Sequence, residues 1–372
     1  MPPRPDQQRP LVVFVDLGTM LSFDQLASVL RSRGVEVAHL SSSDNPLARF
    51  ASRVLYDHSS WFATPAGLFA ALARLDVERI VDVQCPEFLL DDVVQAARLA
   101  GLPRRVLTEL EHRFTWRDKY TVAQQLHAAG IPAPRTQGVE GTDADDLVAA
   151  FGLPLVVKDR VGSGGEGVRI VHHREDFEPA LQALGGELAH LYVEQYLPGE
   201  TLCWAAAVVD GAARQGVVYR TRQGHEAEGP STAIEVVADD EVMQLGCRVA
   251  RLVGGAGLLN LDLVRDAAGS PRVVDVNVRA WHSVVALSRL GADYPRAYLQ
   301  GLGLQPSTPD PRVHPGAVAV FPSHEAFHPG DDRLGAVRRF LRGLAEHRRV
   351  LPGRYRALQV LLFARRLLDP RP

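Results

Sequence analysis

The sequence contains very little lysine. Of its 372 residues 41 are basic, but Lys119 and Lys158 are the only lysines and all the others are arginines. A compact ammonium and a planar guanidinium bind anions differently, so a lysine kept in such a chain indicates a site where arginine will not substitute. The alternative is two leftover surface lysines, and their sequence neighbourhoods have to decide between these interpretations.

Cysteines and long apolar runs are also scarce. Cys85, Cys203 and Cys247 are odd in number and lack metal-like spacing, which fits packed thiols in a reducing compartment and argues against a structural zinc site. The apolar runs at 11–15 and 360–364 are too short to span a bilayer, and the first ten residues lack the apolar segment of a signal peptide. We therefore expect a cytoplasmic protein.

Charge is distributed unevenly along the chain. The net charge is −3, which gives no reason to expect nucleic acid as a partner. Residues 333–372 nevertheless carry eleven arginines against Glu346 and Asp369, a local charge of +9. We predict that residues 350–368 form a helix whose Leu, Val and Phe face packs on the body of the protein or on a second subunit of a homodimer. The alternative is a basic helix on a membrane surface, although we expect no membrane partner.

The N-terminal third alternates between strand and helix patterns. An apolar strand at 11–16 is followed by an amphipathic helix ending at Gly34 and a second strand at 35–40, and the pattern recurs at 77–101. Short apolar strands separated by helices predict an α/β unit with a doubly wound parallel sheet. No G-x-G-x-x-G motif follows the first strand, which argues against dinucleotide binding there.

A predicted hairpin brings polar side chains together. Its strands, 258–264 and 272–279, flank a turn centred between Ala268 and Gly269. A symmetric register pairs Asp262 with Asp275 and Asn260 with Asn277, and these side chains share one face of the hairpin. The other face is entirely apolar: Leu259, Leu261, Leu263, Val274, Val276 and Val278.

Facing carboxylates on neighbouring strands destabilise a sheet unless a positive charge lies between them. Carboxylate and amide oxygens suit Mg²⁺, so Asp262, Asp275 and Asn277 are predicted metal ligands. The alternative is an exposed polar face whose carboxylates pair with arginines such as Arg279.

A glycine-rich loop lies four residues beyond Lys158, which the preceding strand carries. Backbone N–H groups of successive small residues can close over phosphate oxygens, and an ammonium nearby binds the same phosphates as a point charge. The alternative for the loop alone is an ordinary hairpin turn. The candidate phosphate-binding residues of the loop are Gly162, Ser163, Gly164, Gly165 and Gly167.

These segments, taken in order, resemble the ATP-grasp superfamily. The resemblance rests on DK at 118–119, VVKD at 156–159, GSGGEG at 162–167, VEQYLPGE at 193–200 and LDLVRDAAGSPRVVDVNVR at 261–279. Residues 277–295 look most like the carboxylate-amine ligase (ATP-dependent carboligase) branch, whose members often read N-x-R-x-W. The resemblance implies a pre-ATP-grasp α/β domain at 1–105, an ATP-grasp domain at 106–305 with a lid at about 120–198, and an arginine-rich extension at 306–372.

The resemblance also implies roles for single residues. Lys119 and Lys158 would bind ATP phosphates, the glycine loop would be a mobile flap, and Arg279 would stabilise the acyl phosphate and the tetrahedral intermediate. Contacts to adenine and ribose would come from Glu194, Gln195, Leu197 and Glu200, and Mg²⁺ would bind Asp262, Asp275 and Asn277. The chain departs from the family at Asp275, where glutamate is usual, and the ribose carboxylate can also occupy the next position, here Thr201.

Weaker candidates border the predicted acceptor pocket. Arg220, Arg222 and His225 lie in the segment 218–232 and could hold a phosphate or a substrate carboxylate; the alternative is a polar surface loop. His282 and Ser283 follow Arg279 and could line the carboxylate pocket, the alternative being a structural histidine.

The implied activity is that of an ADP-forming ligase. ATP, with Mg²⁺, would activate a carboxylate as an acyl phosphate, which an amine then attacks to form a C–N bond. Two alternatives stay open: an enzyme that forms carboxyphosphate or a carbamoyl group, and an ATP-binding regulatory protein that has lost turnover.

Overall fold

The computed structural model describes residues 9–18, 20–162, 165, 167–222, 233–306, 309, 311–321 and 332–368. The strands of these residues form three sheets, two with four strands and one with six. No helix within this described part combines the length and the apolar character needed to cross a membrane.

The first sheet is parallel, as the strand and helix alternation predicts, and its strand order is β3-β2-β1-β4. Strand β3 was not predicted, because this short edge strand has no apolar run and is only partly buried. The strands are β1 (Leu11–Asp16), β2 (Glu36–Ser41), β3 (His58–Trp61) and β4 (Ile80–Gln84). The helices are α1 (Leu21–Ser32), α2 (Pro46–Leu55), α3 (Pro65–Leu72), α4 (Leu90–Leu99) and α5 (Arg104–Thr115).

The second sheet has the order β5-β8-β6-β7 and is antiparallel at each strand pair. The glycine-rich loop connects its strands β6 and β7. The strands are β5 (Thr136–Gly138), β6 (Leu155–Asp159), β7 (Val168–Val171) and β8 (Leu191–Gln195). The helices are α6 (Lys119–Ala128), α7 (Ala144–Phe151) and α8 (Phe177–Ala183).

The third sheet has the order β13-β12-β9-β10-β11-β14. Its last strand comes from beyond residue 305, so the proposed C-terminal extension contributes a strand to the sheet of the preceding part. The strands are β9 (Glu200–Val209), β10 (Ala212–Arg222), β11 (Ala233–Val236), β12 (Gly257–Arg265), β13 (Pro271–Asn277) and β14 (Val318–Val320). The helices are α9 (Asp240–Val253), α10 (Val284–Arg289) and α11 (Tyr294–Gly301).

The hairpin β12–β13 has the predicted register where it carries the polar residues. Asp262 lies opposite Asp275, and Asn260 opposite Asn277. Beyond Asp262 a β-bulge shifts the register, so the predicted inward position of Val274 is wrong. Val273 is buried instead, because the extra residue of the bulge, Val274, reverses the alternation of faces between Asp275 and Val273.

The C-terminal region folds into two helices, α12 (Arg333–Glu346) and α13 (Gly353–Leu368). The predicted helix at the end of the chain is therefore confirmed. Its residues Tyr355 and Leu358 are buried in the core that also contains residues of β1 and β9, and Phe363 stacks on Phe340 of α12 with ring centroids 4.0 Å apart. The apolar face thus packs on the body of the protein.

Candidate active site

The polar face of the hairpin is largely shielded from water, with Asn260 and Asn277 buried and the two aspartates partly exposed. Burial and the neighbouring Asp275 raise the pKa of Asp262. Two amide groups approach the Asp262 carboxylate, with Asn260 Nδ2 at 3.4 Å and Asn277 Nδ2 at 3.5 Å. The Cys203 thiol donates a hydrogen bond to the same carboxylate at 3.3 Å. This face therefore offers carboxylate oxygens to a cation, while the amide oxygens of Asn260 and Asn277 accept hydrogen bonds from Tyr219 and Arg279.

Lys119 supplies the positive charge that the facing carboxylates need. Its Nζ lies 2.6 Å from each carboxylate oxygen of Asp275. Burial opposes ionisation of Asp275, but Lys119, Lys158 and Arg279 outweigh it and lower the pKa of this carboxylate. The Lys119 backbone N–H donates to the Arg160 carbonyl at 2.8 Å, which fixes the start of α6 beside the second sheet.

Lys158 forms a second buried ion pair within the second sheet, which we call the lid sheet because its strands β5–β8 lie within residues 120–198. Its Nζ lies 2.5 Å from Glu194 Oε1, and both side chains lie on one face of the paired strands β6 and β8. Burial raises the pKa of Glu194, although Lys158 opposes the shift. Lys158 also approaches the Val274 carbonyl at 3.5 Å, which links the lid sheet to the bulge of the hairpin.

Arg279 lies just beyond the end of β13 and is held on several sides. Its Nε donates to Glu87 Oε2 at 2.9 Å and lies 2.8 Å from Glu87 Oε1 in an ion pair. Its other nitrogens donate to Asn277 Oδ1 at 3.0 Å and to the Ala280 carbonyl at 3.1 Å. The sequence analysis missed Glu87, because it precedes Arg279 by 192 positions and no local pattern marks it.

A cavity of about 470 Å³ brings most of these groups together. It lies between the lid sheet and the six-stranded sheet. Its lining includes the predicted residues Lys119, Lys158, Gly162, Gly165, Gly167, Asp262, Asp275, Asn277, Arg279, His282 and Ser283. It also includes residues that were not predicted as site residues: Asp159, Val168, Cys203, Tyr219, Thr221, Asn260, Trp281 and Phe321.

The glycine loop closes one side of this cavity. Gly165 has a φ of +80°, in the left-handed region that glycine adopts without strain. A Cβ on Gly167 would lie 3.0 Å from the Asp159 Cβ, a tight contact that favours glycine where the loop returns to β7. Ser163 and Gly164, two further predicted phosphate contacts, lie outside the described residues.

The predicted adenine and ribose contacts lie at and beyond the end of β8. Glu194 is buried against Lys158, and Gln195 donates its backbone N–H to the Arg135 carbonyl at 2.9 Å. Leu197 is half-buried in the connection to β9. Glu200 is exposed and pairs with Arg220 at 3.0 Å, so this carboxylate is turned away from the cavity lining.

The candidates for the acceptor pocket divide into two groups. Arg220 and Arg222 both donate to Glu235, while Tyr219 and Thr221, which alternate with them along β10, line the cavity. His225 lies outside the described residues. The ring of His282 lies 4.3 Å from that of Phe321, edge to face, and burial lowers the pKa of His282 to about 4. Ser283 is buried beside it.

Three of the unpredicted lining residues, Asn260, Cys203 and Tyr219, act on the polar hairpin. The Tyr219 hydroxyl donates to Asn260 Oδ1 at 2.7 Å, which turns the Asn260 amide nitrogen towards Asp262. The predicted register already placed Asn260 on the polar face, so that residue could have been found from the sequence. Cys203 and Tyr219 come from separate strands, and only the pairing of β9 with β10 and β12 brings them here.

The cleft between the two antiparallel sheets contains a glycine loop, two lysines and a carboxylate hairpin. This arrangement defines an α/β protein of the nucleotide-binding class. Residues 116–283 match the family model of the ATP-grasp domain, so the predicted ATP-grasp fold is confirmed. The chain is 26% identical over 287 residues to N5-carboxyaminoimidazole ribonucleotide synthase of Mycobacterium bovis, covering 74% of this chain and 63% of that protein. The chain spans less than two thirds of the length of these curated relatives: 40% of the biotin carboxylase of Nostoc and 63% of the Mycobacterium bovis synthase.

Solved structures show the same fold over most of the chain. Carboxyaminoimidazole ribonucleotide synthase from Aspergillus clavatus, complexed with ATP, superposes with a TM-score of 0.67 at 15% identity, covering 84% of this chain and 82% of that one. The L-amino acid ligase from Bacillus licheniformis superposes with a TM-score of 0.62 at 15% identity, covering 84% and 79%. These likenesses include the N-terminal α/β unit as well as the ATP-grasp domain.

Proposed function

We propose that the protein is an ATP- and Mg²⁺-dependent ligase that activates a carboxylate as an acyl phosphate and joins it to an amine, releasing ADP and phosphate. The observation that carries the proposal is the convergence of three cationic side chains, Lys119, Lys158 and Arg279, with the carboxylates of the hairpin in one cavity. Phosphoryl transfer is catalysed mainly by positioning and charge neutralisation, which such a set of groups supplies.

The hairpin fits a magnesium ion. Asp262 and Asp275 are two partly buried carboxylates on neighbouring strands, and a lysine ammonium already lies against one of them. Hard oxygen ligands of this kind suit Mg²⁺, which completes its coordination with water and phosphate oxygens. We propose that Asp262, Asp275 and the amide oxygen of Asn277 hold the ion, the amide oxygen using a lone pair that its hydrogen bond from Arg279 leaves. When bound, Mg²⁺ would neutralise charge on the ATP phosphates.

The remaining residues have separate tasks in this proposal. Lys119 and Lys158 bind phosphate oxygens, and the glycine loop covers the phosphates and excludes water. Arg279 directs its free N–H groups at the phosphoryl group that is being transferred and at the carboxylate that receives it. We propose that Glu194 and the chain from Gln195 to Leu197 border the adenine. No side chain serves as a covalent nucleophile.

A screen for substrate-stimulated ADP release tests the proposal. Amino acids and small carboxylic acids are added singly to the full chain with ATP and Mg²⁺, and hydroxylamine replaces the unknown amine. The correct carboxylate should give ADP, phosphate and a hydroxamate. Accumulation of AMP with pyrophosphate would contradict the acyl phosphate mechanism.

Substitutions make the assignment specific to this cavity. Asp262→Asn and Lys158→Arg should each abolish ADP formation, because the first removes a metal ligand and the second replaces a compact ammonium by a guanidinium fork. Arg98→Lys is the matched control, since Arg98 and its partner Glu111 are exposed and lie outside the cavity lining. Near-normal turnover in Lys158→Arg would contradict the inference that the two lysines occupy sites where arginine cannot substitute.

A second candidate function is the formation of carboxyphosphate from bicarbonate. It is favoured by the relatives, because the synthase from Mycobacterium bovis and the biotin carboxylase from Nostoc are both named for carboxylation chemistry. ADP release driven by bicarbonate alone, without any organic acid, would select this candidate over the amide-forming ligase.

A further inference from the structure

The N-terminal unit reaches into the proposed active site at one residue, Glu87. This glutamate begins the helical turn Glu87–Leu89, which follows β4 of the first sheet. Both oxygens of its carboxylate lie close to Arg279 Nε. The two residues are far apart in sequence, because Glu87 follows β4 of the first sheet and Arg279 follows β13 of the third. Both side chains are about one-tenth exposed, so the pair is largely shielded from water.

The contacts of Arg279 leave a defined part of its guanidinium for a ligand. Of the five N–H donors of an arginine, the one on Nε points at Glu87, and one on each terminal nitrogen is taken by Ala280 and Asn277. The terminal nitrogens keep their second N–H groups, and Arg279 lines the cavity. Because the guanidinium is planar, fixing Nε also fixes the direction of these two donors.

The last residue of β4, Gln84, holds Ala280, the residue after Arg279. Gln84 Oε1 accepts the backbone N–H of Ala280 at 3.3 Å, and Gln84 Nε2 donates to Asp82 at 2.6 Å. Asp82 is in turn paired with Arg113 at 2.7 Å. Two consecutive residues after β13, Arg279 and Ala280, are therefore each held by a buried polar side chain at or just beyond the end of β4.

Glu87 is not one of the described residues that line the main cavity. Its direct contact with a residue of that lining is the one with Arg279, while its charge also acts at longer range on Lys119. Removing a carboxylate from a buried ion pair leaves the arginine with an uncompensated charge, and the guanidinium then turns to other acceptors.

We propose that Glu87 is a positioning residue that aims Arg279 at the transferred phosphoryl group, so that the N-terminal unit completes the active site. This inference rests on the proposed function. It assigns to the first sheet a part in catalysis through two contacts, from Glu87 to the side chain of Arg279 and from Gln84 to the backbone of Ala280.

Binding of a phosphoryl mimic tests the inference without a known substrate. The affinity for MgADP is measured by calorimetry on the full chain, with and without aluminium fluoride, which occupies the position of the transferred phosphoryl group. In the wild type aluminium fluoride should tighten MgADP binding. Glu87→Ala should keep the affinity for MgADP alone but lose about ten- to a hundredfold of that tightening, the cost expected when a reacting group is displaced by about 1 Å.

Three further variants separate positioning from a structural role. Glu87→Gln keeps an acceptor for Nε–H and should lie between the wild type and Glu87→Ala. Glu111→Gln breaks an exposed glutamate–arginine pair with Arg98 and should behave like the wild type. Arg279→Ala combined with Glu87→Ala should be no worse than Arg279→Ala alone, because Glu87 acts through the arginine.

The outcomes distinguish this inference from the proposed function. A wild type that does not bind MgADP would overturn the proposed function. A wild type that binds MgADP more tightly with aluminium fluoride, together with a Glu87→Ala variant that does so equally well, would overturn the role of Glu87 alone. Additive losses in the double variant would also overturn it.

Discussion

Replacing Lys119 with methionine should make the protein bind a divalent cation more tightly when no nucleotide is present. The Lys119 ammonium lies 2.6 Å from both carboxylate oxygens of Asp275, which is one of the proposed metal ligands. A cation that binds Asp275 therefore has to displace the ammonium first. In the proposed complex the nucleotide phosphates draw Lys119 away, so that metal and nucleotide favour each other's binding.

The contact sets the size of the expected effect. A hydrogen bond to a charged group contributes about 1.5 to 3 kcal/mol, and every 1.4 kcal/mol is about a factor of ten in affinity. Lys119→Met should thus raise the affinity for a divalent cation alone by about ten- to a hundredfold. By linkage, the factor by which ADP tightens metal binding should fall by a similar amount.

Mn²⁺ is a suitable probe, because it prefers the same oxygen ligands as Mg²⁺ and its free form is counted by electron paramagnetic resonance. The titration is run on the full chain with and without ADP. Lys158→Met is the matched control: it removes the other lysine, whose direct partner is Glu194 rather than a proposed metal ligand. Its affinity for Mn²⁺ alone should change much less.

An unchanged Mn²⁺ affinity in Lys119→Met would show that the ammonium does not compete with the metal. An equal increase in both lysine variants would trace the effect to the general positive charge of the cavity and not to the contact with Asp275. Either result would refute the reasoning.

Two further predictions concern stability. Burial lowers the pKa of His347 to about 4, below its ordinary value of 6.5, so folding stability present above about pH 6.5 should be lost as the pH falls towards 4. His347→Asn keeps a donor for the Gly343 carbonyl and should reduce the loss between pH 7 and pH 5 by up to about 2 kcal/mol in urea unfolding; an unchanged pH dependence would contradict this. In α13, Leu358→Ala should cost about 2 to 5 kcal/mol, whereas the exposed Leu361→Ala should cost less than about 0.5 kcal/mol. Equal costs would show that α13 does not pack as described.

The parts of the site that the sequence predicts are local in the chain. The pairing of Asp262 with Asp275 follows from a short turn and the alternation of side chains in a strand. The bulge at Val274 does not follow, because an assumed symmetric turn carries no information about an extra residue. The bulge matters for the site, since the Val274 carbonyl approaches Lys158 there.

The ion pairs of the site lie beyond the reach of sequence reasoning. Lys119 and Asp275 are 156 positions apart, and Glu87 and Arg279 are 192 apart. Nothing in a single sequence states which carboxylate meets which cation when three sheets assemble. For the same reason the helix α13 could be predicted from its apolar periodicity, while the three-residue strand β14 could not.

The choice between lysine and arginine in the cavity has a physical explanation on the proposed function. Without ligands, Lys119 and Lys158 are each neutralised by a carboxylate, Asp275 and Glu194, and each has to leave that carboxylate when phosphate arrives. A point charge on a flexible stem can move between two anions, whereas a guanidinium held by several directed hydrogen bonds cannot do so cheaply. Arg279, which is fixed by Glu87, Asn277 and the chain itself, is the cation that stays in place. The two cations that have to move are thus the only two lysines of the protein.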